Sequence, residues 1–424
     1  MANRTLITYL GTGGGKRTKG IASQTYRQTV YRMPDGTLTE KSPFVGLVLN
    51  KQIDCNEIKI FGSVGSMWPT LLDYLIDKNN TENDLYNRLV EKVWDLHEKP
   101  ELEQIKDEIA DCFSSLLGKK TEIILHDRVD TETRMWSFFD LLASVIKDSD
   151  VVFMDITHGF RHLPIIGITA LSYISTIYPN IILQGLYYAM FESKINPNDE
   201  SEPAPILDLL PAWDMIQWFH ASRDYIVHGN ASDLVSKVEP IKPNLAKSLK
   251  GINDTLRLTF IETLDTRFSN MKKEINRSEL GMYPQLNYLK KYFDDMGNLF
   301  PEGQPEWKNQ IQISFWFYEH EMYQQALTSI VEGIKSYAMI ETGLDWKDRE
   351  KRDSFPKEQF KGGRNKRRIL GDDLAKLYIK ANKWRNEVNH GGLLFKEASS
   401  MTKSVMDEID RVFQSPFLDD LLKK

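Results

Sequence analysis

Three short β-rich runs constrain this chain more than any other feature. Thr5–Leu10, Glu57–Gly62 and Val151–Ile156 each read as a strand, and each ends in a polar loop that carries glycine. The loops are Gly11-Thr12-Gly13-Gly14-Gly15-Lys16, Ser63-Val64-Gly65-Ser66-Met67-Trp68-Pro69 and Thr157-His158-Gly159-Phe160-Arg161-His162. Runs of this kind are expected in a parallel sheet covered by helices, a Rossmann-like α/β architecture. The three loops would then share one crest, where open α/β sheets bind ligands. Their backbone N–H groups, hydroxyls and charges at Lys16 and Arg161 suit phosphates and purines. The first loop fits no named phosphate motif. A Walker A loop needs glycine where Leu10 stands and Ser or Thr where Arg17 stands, and Lys16 replaces the third glycine of a dinucleotide fingerprint. Taken alone, His158 reads as a packed histidine satisfied by backbone, because no metal-ligand spacing accompanies it.

The rest of the first half fits this frame. Gln24–Thr39 reads as a hairpin about a Met33-Pro34-Asp35-Gly36 turn. Pro69 suits the first turn of a helix, and residues 81–117 form a charged helical excursion from the sheet. Leu163–Phe191 has no Asp, Glu, Lys or Arg, which raises the possibility of a membrane span. Pro164 and Pro179-Asn180 break it, so it reads as a buried helix (Ile165–Thr176) and a buried strand (Ile181–Ala189).

From Asp214 onward helical periodicity replaces the strand signals. The predicted class is α/β followed by all-α: a sheet domain over 1–213, a helical connector over 214–305 and a helical domain over 306–424. A chain of 424 residues can hold two or three such cores. The net charge of −6 confines any nucleic-acid contact to a local patch. The basic loop Lys361-Gly362-Gly363-Arg364-Asn365-Lys366-Arg367-Arg368 is the strongest such patch, with Arg364, Lys366, Arg367 and Arg368 as an approach for RNA. Cys55 and Cys112 form no CxxC, which argues against a disulfide framework or cysteine zinc site and suits a reducing cytoplasm. The glycines after Leu10 interrupt the only apolar run near the start, so no signal peptide is read there.

Just beyond that loop stands Trp384-Arg385-Asn386-Glu387-Val388-Asn389-His390-Gly391-Gly392. On a helix Asn386 and His390 share a face, with Arg385 at its edge. The two glycines make a helix stop, placing His390 in the last turn, where the macrodipole favours positive charge. Arginine can bind a phosphate with two parallel donors, and histidine can move a proton. Together they can serve attack of a ribose 2′-hydroxyl on its phosphate without a metal. One copy is sparse, so two are expected to meet across a dimer axis. The same spacing recurs at Arg223-Asp224-Tyr225-Ile226-Val227-His228, where no basic loop adjoins it, and that copy reads as incidental.

On these residues the chain resembles the CARF–HEPN accessory ribonucleases of type III CRISPR systems. Leu6–Gly13, Gly65-Ser66-Met67-Trp68 and Asp155-Ile156-Thr157-His158-Gly159-Phe160-Arg161 look like the nucleotide-sensing CARF half, and Arg385-Asn386 with His390 like the HEPN half. The resemblance implies a cytoplasmic homodimer whose CARF domains bind cyclic oligoadenylate, tetra-adenylate favoured over hexa-adenylate. The ligand would come from the type III CRISPR effector complex. Binding would activate a metal-independent site cutting single-stranded RNA. Arg385 would stabilise the phosphate, His390 orient or deprotonate the 2′-hydroxyl, and Asn386 support the geometry. Gly11, Thr12, Gly13, Ser66, Thr157 and His158 would contact the ligand, with Ser63, Gly65, Met67, Trp68 and Gly159 in the same loops and Lys16 and Arg161 added for their charge. Degradation of the ligand by the sheet domain stays open. The rival expectation is a nucleotide-sensing regulator or RNA-binding protein without cleavage.

Overall fold

A computed structural model describes residues 3–12, 28–79, 84–148, 150–277, 283–360, 372–390 and 398–423. The chain divides into two units, 1–216 and 217–424.

The first unit is built on strands β1 (Arg4–Tyr9), β2 (Tyr31–Arg32), β3 (Glu57–Gly62), β4 (Lys120–Leu125), β5 (Val151–Asp155), β6 (Ile182–Ala189) and β7 (Ala204–Asp208). They form one sheet in the order β2-β7-β6-β5-β1-β3-β4. Every pairing is parallel except β6 with β7. The three runs that anchored the sequence reading, β5, β1 and β3, are neighbours at its centre. From β1 the chain winds outward through β3 to β4, then returns to the other side through β5 and β6. The winding therefore reverses between β1 and β5, the switch point at which such sheets form a crevice.

Side-chain alternation divides the core. Leu6, Ile58, Ile60 and Phe153 face one side, where they pack with α1 (Val45–Gln52), α2 (Trp68–Asn79), α3 (Asp84–Leu96) and α4 (Lys106–Leu117). Ile7, Phe61, Val152 and Met154 face the other, against α5 (Glu132–Val145) and α6 (His162–Ile177). Helices α3 and α4 thus correct the idea of an excursion. Val93, Ile109 and Phe113 are part of the sheet's cover, and the chain leads on into β4.

Two further expectations are modified. Met33–Gly36 does form the turn of a short hairpin, with the Gly36 N–H donating to Met33 O at 2.9 Å and antiparallel bridges at Arg32–Leu38 and Thr29–Ser42, but the strand before it is two residues long and also pairs in parallel with β7. Residues 24–27 lie outside the described residues. The charge-free stretch does become a helix and a strand, yet α6 buries only one face, and Ile165, Tyr173 and Ile177 on it are exposed. Among the described residues no helix is long and apolar enough to cross a membrane.

The division between the units falls within α7 (Leu210–His228). The second unit is helical throughout its described length: α8 (Ser232–Val238), α9 (Pro243–Arg257), α10 (Leu264–Arg277), α11 (Pro284–Leu299), α12 (Glu306–Glu319), α13 (Tyr323–Glu341), α14 (Arg349–Gln359), α15 (Asp372–Asn389), α16 (Ala398–Phe413) and α17 (Pro416–Leu422). One apolar cluster runs from Trp218 to Leu421, so the helices before residue 305 and those after it share a core. Phe268 stacks on Phe300 at 5.1 Å, and Trp307 meets Tyr337 edge-on at 4.9 Å.

Candidate functional site

At the switch point the ends of β1 and β5 are tied by side chains. Thr8 Oγ1 donates to Asp155 Oδ2 at 2.7 Å, and Asp155 Oδ1 accepts the Thr157 N–H at 2.9 Å. Asp155 is completely buried. These bonds satisfy its carboxylate, as burial requires. Gly46 of α1 passes so close that an added Cβ would lie 2.7 Å from Thr8 Oγ1. Thr157 Oγ1 accepts the Ala189 N–H at 2.9 Å, which binds the end of β6 to the same crest.

His158 caps a helix. The Val45 N–H, at the start of α1, donates to His158 Nε2 at 3.3 Å. An accepting Nε2 carries no proton, so the ring is neutral with hydrogen on Nδ1. Burial lowers its pKa, against the opposing charge of Asp155. Beside it lies a cleft of about 280 Å³ lined by Tyr31, Pro43, Thr157, His158, Tyr188, Ala189, Phe191 and Glu192. Tyr188 donates to Glu192, and its pKa is pushed up to about 12 by burial and that bond. The same bond, with help from the charge of Arg161, holds the Glu192 carboxyl low.

The loop after β3 is a built structure. Ser66 Oγ donates to Leu10 O at 2.7 Å and accepts the Ser63 N–H at 2.9 Å. The Met67 N–H donates to Gly11 O at 3.0 Å, and the Trp68 indole donates to Ser63 O at 2.8 Å. Ser66, Met67 and Trp68 are buried. Their side chains therefore shape the loop, and Ser63, Gly65 and the backbone are what it turns outward. His97 Nε2 meets Ser66 O at 2.8 Å, while the Glu98 N–H donates to Val64 O at 3.0 Å from a positive φ of 65°. That buttress comes from the end of α3 and has no local signature.

In the second unit, α15 packs along α13 and carries Arg385 to a cluster of charges. Arg385 Nη1 donates to Glu332 Oε1 at 3.3 Å, while its Nε and Nη2 both donate to Asn386 Oδ1, at 3.3 and 3.1 Å. Three of its five N–H groups are thus engaged among the described residues. Arg352 of α14 grips Glu332 Oε2 through Nη2 at 2.7 Å and Nε at 3.1 Å, and Lys335 Nζ lies 3.3 Å from Oε1. Burial favours the neutral form of the Glu332 carboxyl, but the charges of Lys335 and Arg352 outweigh it and lower the pKa. Burial also dominates at Tyr378, whose pKa is pushed up to about 12 with help from Glu332. Asn382 Oδ1, one turn before Arg385, is buried without a hydrogen-bond partner among the described residues. Farther along α15, a groove of about 470 Å³ holds Lys376, Lys380 and Arg411 with Asp373 and Asp420.

His390 ends α15 with its N–H donating to Asn386 O at 2.9 Å and its side chain exposed. Arg385 is turned back onto α13, while the His390 side chain is exposed at the same helix end. The earlier copy also closes a helix, before Gly229 at φ 67°, but there Arg223 is exposed.

Residues 5–192 match the family model described as the CARF domain of the CRISPR system endoribonuclease Csx1. The sheet unit carries a CARF domain. Over 352 residues, 78% of this chain, it is 24% identical to the CRISPR-associated protein MJ1674 of Methanocaldococcus jannaschii. The chain spans about half of that relative, 53% of its length. A solved structure of Enterococcus italicus Csm6, bound to cyclic hexa-2′-fluoro-hexa-dAMP, aligns over 100% of this chain and 98% of its own at 13% identity and a TM-score of 0.36.

Within the CARF domain, the crest gathers Gly11, Thr12, Ser63, Gly65, Thr157, His158, Gly159 and Arg161 on the ends of adjacent strands. Gly13 and Lys16, like Arg364, Lys366, Arg367 and Arg368, lie outside the described residues. Sequence reasoning missed the far wall of the cleft, Tyr31, Tyr188, Phe191 and Glu192, and also Glu332, Lys335 and Arg352. Each comes from a distant element, and only the fold brings them together.

Proposed function

We propose that this chain is a cyclic oligoadenylate-activated endoribonuclease, cutting single-stranded RNA without a metal in type III CRISPR defence. The observation that carries the reading is the presence, on one chain, of a CARF domain and of the charge cluster that holds Arg385 beside Asn386. The crest at the switch point supplies backbone N–H groups, hydroxyls, aromatic rings and Arg161 for adenylate groups. Arg385 would carry the negative charge that builds on the phosphate. His390 would take the 2′-hydroxyl proton as the 2′-oxygen bonds to phosphorus and the P–O5′ bond breaks, and the leaving 5′-oxygen would then be protonated. The products are a 2′,3′-cyclic phosphate and a 5′-hydroxyl.

A homodimer would pair two such helix ends. The stripe Ile165, Tyr173 and Ile177 on α6, with Trp136 on α5, supports it as an apolar surface of the kind that second copies cover. Activation then requires that the ligand bind the active arrangement better than the resting one.

The test is an RNA-cleavage assay in EDTA, with and without each cyclic oligoadenylate. Cleavage appearing only with activator and persisting in EDTA is the expected result. Arg385→Ala and His390→Ala should each abolish cleavage and leave nucleotide binding intact, whereas Arg223→Ala should cut normally. Nucleotide binding with no cleavage under any activator would favour the non-cleaving regulator.

A further inference from the structure

We propose that Glu332 is the positioning residue that sets the orientation of the Arg385 guanidinium, and that Arg352 fixes Glu332 for that task. The functional consequence rests on the nuclease reading above. Two roles are open to a carboxylate beside this arginine: to sequester it or to aim it. The distances decide between them. The short bonds of Glu332 go to Arg352, at 2.7 and 3.1 Å, while Arg385 stands at 3.3 Å. Arg352 is further held by Glu332 O at 3.1 Å and Ser336 Oγ at 3.0 Å, so the carboxylate is anchored to its own helix from α14.

The charge count agrees. Among the described residues, Lys335, Arg352 and Arg385 surround one carboxylate, so three positive charges meet one negative. Glu332 therefore leaves the cluster able to attract an anion. Its contact fixes Nη1, while Asn386 Oδ1 takes the edge formed by Nε and Nη2. Among the described residues one N–H on each terminal nitrogen remains, and these are donors that phosphate oxygens can accept. A guanidinium loosened at either contact would turn about its long stem and lose that aim.

The experiment compares full-length wild type, Glu332→Gln, Arg352→Lys, the double variant and Arg385→Ala. Glu332→Gln is nearly isosteric, and thermal melts confirm that each variant folds. With activator and RNA, Glu332→Gln should lower kcat by about 10- to 100-fold with little change in KM, as misorientation predicts. Arg352→Lys should do the same, and the double variant should be no worse than the single ones, because both act through one group. In parallel, the Arg385 Nε–H resonance, assigned by its loss in Arg385→Ala, should exchange faster with solvent in Glu332→Gln. Unchanged kcat in folded Glu332→Gln, or activity without activator rising above wild type, would overturn the proposal, the latter because it marks sequestration. A wild-type chain inert on RNA would overturn the nuclease reading instead, and the resonance alone would decide the contact.

Discussion

At the scale of single residues, the CARF crest depends on a hydroxyl and a glycine. Gly46 leaves room for Thr8 Oγ1 to reach Asp155, and Thr8 is β-branched and has little freedom to move aside. Gly46→Ala should therefore cost roughly 1–3 kcal/mol, seen as a lower urea midpoint for the sheet unit, and should weaken nucleotide binding. A normal midpoint with normal binding would show that α1 moves without consequence. At the opposite edge of the sheet, Glu57 is buried and bonded to Lys120, to Asn3 at 2.6 Å and, at 3.7 Å, to Lys59. Burial opposes its charge, but the Lys120 and Asn3 bonds prevail and bring its pKa from 4.5 to about 2. A depressed carboxyl contributes stability that is complete above its unfolded pKa and is lost as pH falls through the folded one. Wild type should thus lose on the order of 2 kcal/mol between about pH 4.5 and 2 from this group. Glu57→Gln should be weaker at pH 7 and flatter across that window.

At the scale of elements, α12 begins with a carboxyl of the opposite kind. Burial, joined by Asp265 and Glu262, pushes the Glu306 pKa from 4.5 up to about 7. The folded state then binds the proton more tightly than the unfolded one, so stability falls as pH rises from about 4.5 through 7. Glu306→Gln should be close to neutral at pH 4.5 and stabilising at pH 8, by on the order of 1–3 kcal/mol, when urea midpoints are compared. Burial also explains which elements could be read beforehand. β1, β3 and β5 are covered on both faces, and their side chains state it. β4 is an edge strand with Lys120 and Glu122 at its outer positions, so its pattern is diluted, and β2 has two residues. Trp68, which the resemblance places among the ligand loops, turns its indole into the core, bonded to Ser63 O. Arg385, Asn386 and His390 were legible because they lie within one turn and a half of one helix. Glu332 and Arg352 lie on other helices, and no local spacing marks their convergence.

At the scale of the whole molecule, the apolar stripe of α6 makes the proposed dimer testable. Trp136→Glu with Tyr173→Glu should shift sedimentation from dimer toward monomer and abolish activator-dependent cleavage, since charge on a covered apolar surface opposes its burial. A dimer unaffected by both changes would move the interface elsewhere. The winding of the sheet has another consequence, in the order of assembly. Thr8 and Asp155 are 147 positions apart, yet β1 needs both β3 and β5 beside it. A chain emerging from the ribosome makes its central strand first and cannot flank it on the second side until residue 151 has appeared. Until then Leu6 and Ile7 have no complete sheet to enter. Such non-local pairing makes a slow and aggregation-exposed folding step. The ligand crest, which requires both neighbours of β1, would be among the last features of the CARF domain to form.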